Sequence, residues 1–202
     1  MITLNEIRTL VQARDHTPAQ FEALPNQASV AMILADGEDD LEVCFIRRAD
    51  REGDPWSGQV AFPGGRAGGS DLDAQGVAER ETHEEVGLRL YESHRVGPLP
   101  TRQISRPGVD DDMVLSPFIY HIGAGKQASA FVREPAEVAN VFWVPMQHLF
   151  DEASATELEY PMSGSSMSFP GIRFEDHVIW GLTLNVLDSF AQIMQCKLPS
   201  FN

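Results

Sequence analysis

The sequence predicts an α/β (α+β) fold, with strands and helices in mixed order around one sheet. Three observations carry this. Two strand-like apolar runs, 28–35 and 41–48, are joined by a short acidic turn. A helical pattern over 72–86 lies between strand candidates rather than after all of them. A second long amphipathic pattern, 177–195, closes the chain. This order fits an α/β sandwich better than a doubly wound parallel sheet, in which strand and helix would alternate regularly. At 202 residues the chain is long enough for a full core. The expected organisation is one domain, 1–202, with a short N-terminal helix and a C-terminal helix.

The elements follow in order. Over 3–14, Thr3 with Glu6 three residues on forms a capping box, and Leu4, Ile7, Leu10 and Val11 fall at helical spacing. Pro18 and Pro25 mark 17–27 as loop. The strands 28–35 and 41–48 make a hairpin through Asp36-Gly37-Glu38-Asp39-Asp40. Val60-Ala61-Phe62 is short and apolar and stops at Pro63-Gly64-Gly65. The helix 72–86 takes Ser70 or Asp71 as N-cap and ends at Gly87, the residue type expected after a C-cap. Strands are expected at 95–99, 114–122 and 138–144, then a short helix at 145–150. Residues 152–176 read as irregular with a possible strand at 166–169, and the last helix covers 177–195.

Thirty acidic and fifteen basic residues leave a formal net charge of −15. Such a surface argues against nucleic acid and anionic membranes as partners, and an anionic ligand would need a cation brought with it. Cys44 and Cys196 have no metal-type spacing and are expected as free thiols in a reducing compartment. With no basic, apolar leader and no run of the roughly 18–20 apolar residues a membrane helix needs, the expected location is the cytoplasm.

The informative stretch is Pro63-Gly64-Gly65 … Asp71 … Arg80-Glu81-Thr82-His83-Glu84-Glu85-Val86-Gly87-Leu88. At about 100° per residue, Glu81, Glu84 and Glu85 fall within about 100° of one another, while Glu79 and His83 point elsewhere. Like charges at this spacing cost a helix a few tenths of a kcal/mol per pair, which Arg80, four residues before Glu84, can partly offset. A divalent cation with hard-oxygen preference would offset the rest. Pro63-Gly64-Gly65 can bring a bare backbone against the carboxylates, and a glycine carbonyl can serve as a hard ligand.

This segment resembles the box of the Nudix family, G-x5-E-x7-R-E-U-x-E-E-x-G-U with U apolar. Arg80-Glu81, Glu84-Glu85 and Gly87-Leu88 match in place. Asp71 stands for the first glutamate, one extra residue precedes Arg80, and Thr82 takes the first U position. Gly58-Gln59-Val60-Ala61-Phe62-Pro63-Gly64-Gly65 and Arg48-Ala49 resemble the coenzyme A diphosphatase branch, although Asp54-Pro55-Trp56-Ser57 replaces that branch's linker.

The resemblance implies a Nudix-type α/β/α sandwich with a mixed sheet. It also implies hydrolysis of a diphosphate linkage with Mg²⁺ or Mn²⁺ as cofactor. Its implied metal set is Glu81, Glu84, Glu85 and the Gly64 carbonyl, with Arg80 tethering Glu84. Glu84 and Glu137 are the alternatives for the base. Arg48, Gln59 and Trp56 are expected at the substrate, and Arg51, Arg102, Arg106, Lys126 and Arg133 could ring the site. The substrate expected is coenzyme A or an acyl derivative, giving 3′,5′-ADP and 4′-phosphopantetheine. ADP-ribose, NADH, a dinucleotide or a nucleoside triphosphate are alternatives, and a non-catalytic nucleotide-sensing module is a further one. The protein would act on a small molecule as a monomer or homodimer. Asp110-Asp111-Asp112 lacks the alternation of a calcium loop, and Trp143 and Trp180 read as core.

Overall fold

The computed structural model describes residues 2–14, 21–54, 56–105, 112–162 and 165–201. The expectations placed on Arg106, Asp110 and Asp111 lie outside these. Helix α1, Leu4–Gln12, starts at the expected capping box. The Glu6 N–H donates to Thr3 Oγ1, and the Thr3 N–H donates to Glu6 Oε2. Strands β1 (Gln27–Asp36) and β2 (Leu41–Arg48) form the expected antiparallel hairpin. The short strands β3 (Val60–Ala61) and β4 (Gly64–Arg66) follow. Helix α2 is Ala74–Val86, and β5 (Arg95–Pro98), β6 (Arg102–Ile104), β7 (Met113–His121) and β8 (Val138–Pro145) come next. The chain continues through β9 (Ala155–Met162), β10 (Ser165–Phe174) and β11 (His177–Trp180) into α3, Gly181–Ile193.

The main sheet runs β3-β2-β1-β7-β5, with β4 on β1, β6 on β7 and β8 on β2. It is mixed, because β1 and β7 pair in parallel over eight residues and the other pairs are antiparallel. Alternation along the central strands divides the core. Ala31, Ile33, Ala35, Cys44 and Ile46 pack under α2 with Ala78 and Val86. Met32, Leu34, Val43 and Phe45 face the other way, toward Ile7 and Val11 of α1 and Leu187 and Phe190 of α3. Helices thus cover both faces, and the expected α/β/α sandwich with a mixed sheet is what the chain forms.

One detail of the sheet matters for function. Along the same edge, β1 bonds β2 only at Leu34–Asp36 and bonds β4 at Ala28–Val30. The hairpin strands therefore part at one end of the sheet, with β3 and β4 filling the fork.

Three expectations are corrected. The N-cap of α2 is Asp73, whose Oδ1 accepts from the Gly76 N–H, so the helix begins two residues later than 72. Asp71 and Ser70 are left outside it. Residues 152–176 are not irregular. β9 and β10, the latter containing the strand expected at 166–169, pair with β11 as a three-stranded antiparallel sheet, β11-β10-β9, whose Ile172 and Ile179 join the core. The last helix starts at Gly181 rather than 177, because Val178-Ile179-Trp180 is β-branched and aromatic and pairs with β10. Trp143 and Trp180 are only half-buried, and Trp180 meets the Tyr160 and Phe169 rings at 4.9 and 5.3 Å. Both cysteines are free thiols. Among the described residues, no helix is long and apolar enough to cross a membrane.

Candidate active site

The fork between β1 and β2 opens into a cleft of about 380 Å³. Its floor is Ala28, Val30, Val60, Ala61 and Phe62, and Glu81, Glu85 and Glu137 line it beside Arg48, Arg66, Trp56, Gln59, Gly64 and Gly65. Of the residues expected from sequence, Gly64, Glu81, Glu85, Glu137, Arg48, Gln59 and Trp56 come together here. Leu182 and Thr183, from the first turn of α3, close the cleft opposite.

The position of the acidic side chains follows from α2 packing against β4. Glu85 is 2% exposed, and its Oε2 accepts the Gly64 N–H at 2.8 Å. Gly64 thus reaches the cluster through its amide. Its φ of +150° and the Ser29 carbonyl oxygen 2.2 Å from where a Cβ would stand restrict the position to glycine. Gly65 is equally close, since a Cβ there would lie 2.5 Å from the Glu81 carboxylate.

Arg80 organises the outer side. Its Nε and Nη2 donate to the two Asp71 oxygens at 3.0 and 2.9 Å, and Nη2 also reaches the Arg66 carbonyl at 3.1 Å. Its Nη1 donates to Glu81 at 2.7 Å and to Glu84 at 2.8 Å. Asp71, freed from capping, is therefore a clamp on Arg80, and that bond holds its pKa below the usual carboxylate range. Glu84 does not line the cleft. Its side chain is 53% exposed, because the three-residue step from Glu81 turns it outward while Glu85 turns in.

The opposite wall depends on a contact the sequence did not signal. Arg48 Nη2 donates to Asp54 at 2.7 Å, and the other Asp54 oxygen accepts the Trp56 N–H at 3.0 Å. Desolvation alone would raise the Asp54 pKa, but these donors hold it low. Arg66 stands 6.0 Å over the Trp56 ring. Asp54, Arg66 and Thr183 come from loop, strand and distant helix, with no common period to connect them. Arg47 turns away to Asp50, as the alternation of a strand requires. Arg51 lies 3.6 Å from Glu137, Arg102 turns to Ser189 and Asp188 of α3, and Arg133 donates to the His83 carbonyl. Lys126 lines a different cavity. None of these four lines the cleft.

Among the described residues, no three acidic, histidine or cysteine side chains form a ready-made cage for a cation. The chemistry of the donors nonetheless suits one. Burial pushes the Glu85 pKa up to about 8, against the Gly64 hydrogen bond, with Glu81 and Glu137 adding to the rise. Burial also raises that of Glu81 in spite of Arg80. Two carboxylates that the protein alone leaves undercompensated, beside glycine backbone in an open cleft, could hold a small divalent ion through hard oxygen donors.

A pH effect follows for the metal-free protein. With the folded pKa of Glu85 near 8 and the ordinary value at 4.5, the folded state holds a proton that the unfolded state has lost between those pH values. Stability from this group is therefore full below pH 4.5 and is lost as pH rises toward 8. In EDTA the melting temperature of the native protein should fall more steeply across this window than that of Glu85→Gln. Equal slopes would show that Glu85 does not carry the raised pKa.

Comparison with known proteins gives consistent results. The NUDIX domain family model matches residues 25–163. The Nudix hydrolase NudL of Photorhabdus laumondii, itself uncharacterized, is 30% identical over 139 residues, covering 69% of this chain and 70% of that one. The human mitochondrial coenzyme A diphosphatase NUDT8 is 27% identical over 178 residues, 87% of this chain and 72% of that one. Nudix hydrolase 15, mitochondrial, of Arabidopsis thaliana is 27% identical, and the match spans 91% of this chain but 63% of its length. The crystal structure of a MutT/nudix family protein from Enterococcus faecalis shares the fold, with a TM-score of 0.54 at 18% identity over 96% of this chain and 68% of that one.

Proposed function

The chain belongs to the NUDIX domain family and is a Nudix hydrolase, and from that premise we propose that it cleaves a diphosphate linkage in a nucleoside diphosphate derivative, using Mg²⁺ or Mn²⁺. The substrate proposed is coenzyme A or an acyl-coenzyme A, split to 3′,5′-ADP and (acyl-)4′-phosphopantetheine. The observation that carries the reading is the half-buried Glu81 and buried Glu85 facing a cleft that also presents Arg48 and Arg66. The substrate choice is supported by the human relative named as a coenzyme A diphosphatase and by the Gly58–Gly65 segment.

In this reading Glu81 and Glu85 hold the cation, and Glu84, tethered by Arg80, stands at its outer edge. A bound divalent ion neutralises diphosphate charge, stabilises charge developing in the transition state and lowers the pKa of water. The protein's own residues supply the rest. Asp71 and the Arg66 carbonyl fix Arg80, and Arg80 fixes the orientation of Glu81 and Glu84. The Gly64 N–H fixes Glu85. In this reading the proton of the attacking water goes to Glu137 or Glu84; Glu137 lines the cleft, half-exposed, with Arg51 3.6 Å away, and that favours it. Arg48, held by Asp54, presents positive charge to the substrate phosphates, and Trp56 offers a ring face to an adenine. Substrate and products are anions in a protein of net charge −15, so the cation, Arg48 and Arg66 are what make the cleft hospitable to them.

A Mg²⁺ assay across coenzyme A, acetyl-coenzyme A, NADH, ADP-ribose and nucleoside triphosphates, with product masses identified, tests the substrate. The reading expects coenzyme A or its thioester to be cleaved to 3′,5′-ADP. Turnover of another substrate with no cleavage of any coenzyme A compound would overturn it.

A further inference from the structure

A second cavity, of about 320 Å³, lies at the other end of the sheet. It is lined by Gly87, Leu88 and Arg89 after α2, Tyr91 and His94 before β5, and Ile122, Lys126 and Ser129 after β7. Met113, at the start of β7, lines the catalytic cleft and Ile122 follows the strand's end. At about 3.3 Å per residue the two sites stand roughly 20–30 Å apart along that strand.

The chain has fifteen basic residues to thirty acidic ones, and Arg47, Arg48, Arg51, Arg80, Arg95 and Arg102 each have an acidic partner. Among the described residues, the side chains of Arg8, Arg14, Arg66, Arg89, Lys126 and Lys197 have neither hydrogen bond nor ion pair, and of these Arg89 and Lys126 line this one cavity. Of the acids on the adjoining segments, Asp36 pairs with His121 at 3.0 Å, Glu42 with Gln127 and Glu79 with Arg95, while Glu92, between Tyr91 and His94, is exposed and does not line the cavity. His94 Nδ1 accepts the Tyr91 N–H at 3.2 Å, which leaves Nε2 as the free ring nitrogen of the imidazole. Tyr91 is 56% exposed, with its ring centroid 5.4 Å from that of His94. Two cations without an ion pair, an imidazole and an exposed aromatic ring around one hollow suit an anion with an attached ring.

We propose that this cavity is a second ligand site, separate from the catalytic cleft, that binds a phosphate-bearing small molecule through Arg89 and Lys126. The chemistry serves a free phosphate or the phosphate of a nucleotide, and Tyr91 distinguishes them by stacking on a base.

The test is binding, independent of turnover. The full chain in EDTA is titrated with inorganic phosphate and, separately, with AMP, following backbone amide NMR shifts. Shifts at Gly87, Leu88, Arg89 and Lys126 are expected, and Arg89→Ala with Lys126→Ala should weaken both ligands about ten-fold or more. Arg89→Lys, which keeps the charge, should retain most of the binding. If the source is a nucleotide, AMP binds tighter than phosphate and Tyr91→Ala removes the difference; if it is free phosphate, Tyr91→Ala changes nothing. Shifts confined to the cleft around Gly64 and Glu81, no shifts with either probe, or a double variant with native melting temperature that binds as the native chain does, would each overturn the proposal. Failure here leaves the cleft's activity untouched, and loss of activity in the cleft leaves this binding intact.

Discussion

Glu85→Gln is expected to lower kcat by on the order of 10³-fold or more while the fold persists. The glutamine keeps an oxygen to accept the Gly64 N–H, so the local hydrogen bond survives. It removes the negative charge that burial already makes costly, so the metal-free protein should melt at the same temperature or higher near pH 8. Loss of folding would show that the carboxylate is structural. Full activity would show that Glu85 holds nothing the reaction needs. The variant should also lose the rise in melting temperature that Mn²⁺ gives the native chain, because a ligand that binds only the folded state stabilises it in proportion to its affinity.

Gly64→Ala should have the largest effect on stability, about 3 kcal/mol or more. The backbone there has φ +150°, and a Cβ would press into the Ser29 carbonyl and Val30 Cα of β1. Relief requires β4 to leave β1, which would displace the amide that holds Glu85. Chemical denaturation measures the loss. A native-like midpoint for Gly64→Ala would mean that the fork is loose and that glycine is not required by its packing.

Much of the site was legible because its chemistry is local. Arg80, Glu81, Glu84 and Glu85 lie on one helix, where angular spacing alone brings carboxylates together, and Gly87 marks its end. The same arithmetic could not distinguish Glu84 from Glu85. That difference comes from β4, which covers one side of α2 and leaves the other to solvent. The fork is also tertiary, since nothing in the spacing of 28–48 says that β1 exchanges β2 for β4 part way along. Asp71 was visible as a polar residue before a helix, where a cap and an arginine clamp look alike; the next acid, Asp73, took the cap. Between 152 and 180 only the strand at 166–169 is legible, inside β10; proline, glycine and serine interrupt the alternation of the rest, which the β9–β10–β11 pairing shows clearly. Asp54, Arg66 and Thr183 carried no signal, being joined to the cleft only by the fold.

The central claim is that carboxylates of α2, set against the Gly64–Gly65 backbone, work through a divalent cation on an anionic substrate. Turnover of the cleaved substrate in EDTA, followed by readdition of Mg²⁺ or Mn²⁺, tests it most directly. The account predicts no turnover in EDTA and full recovery on adding either ion to the native chain, with no recovery in Glu85→Gln. Turnover that persists without metal would contradict it.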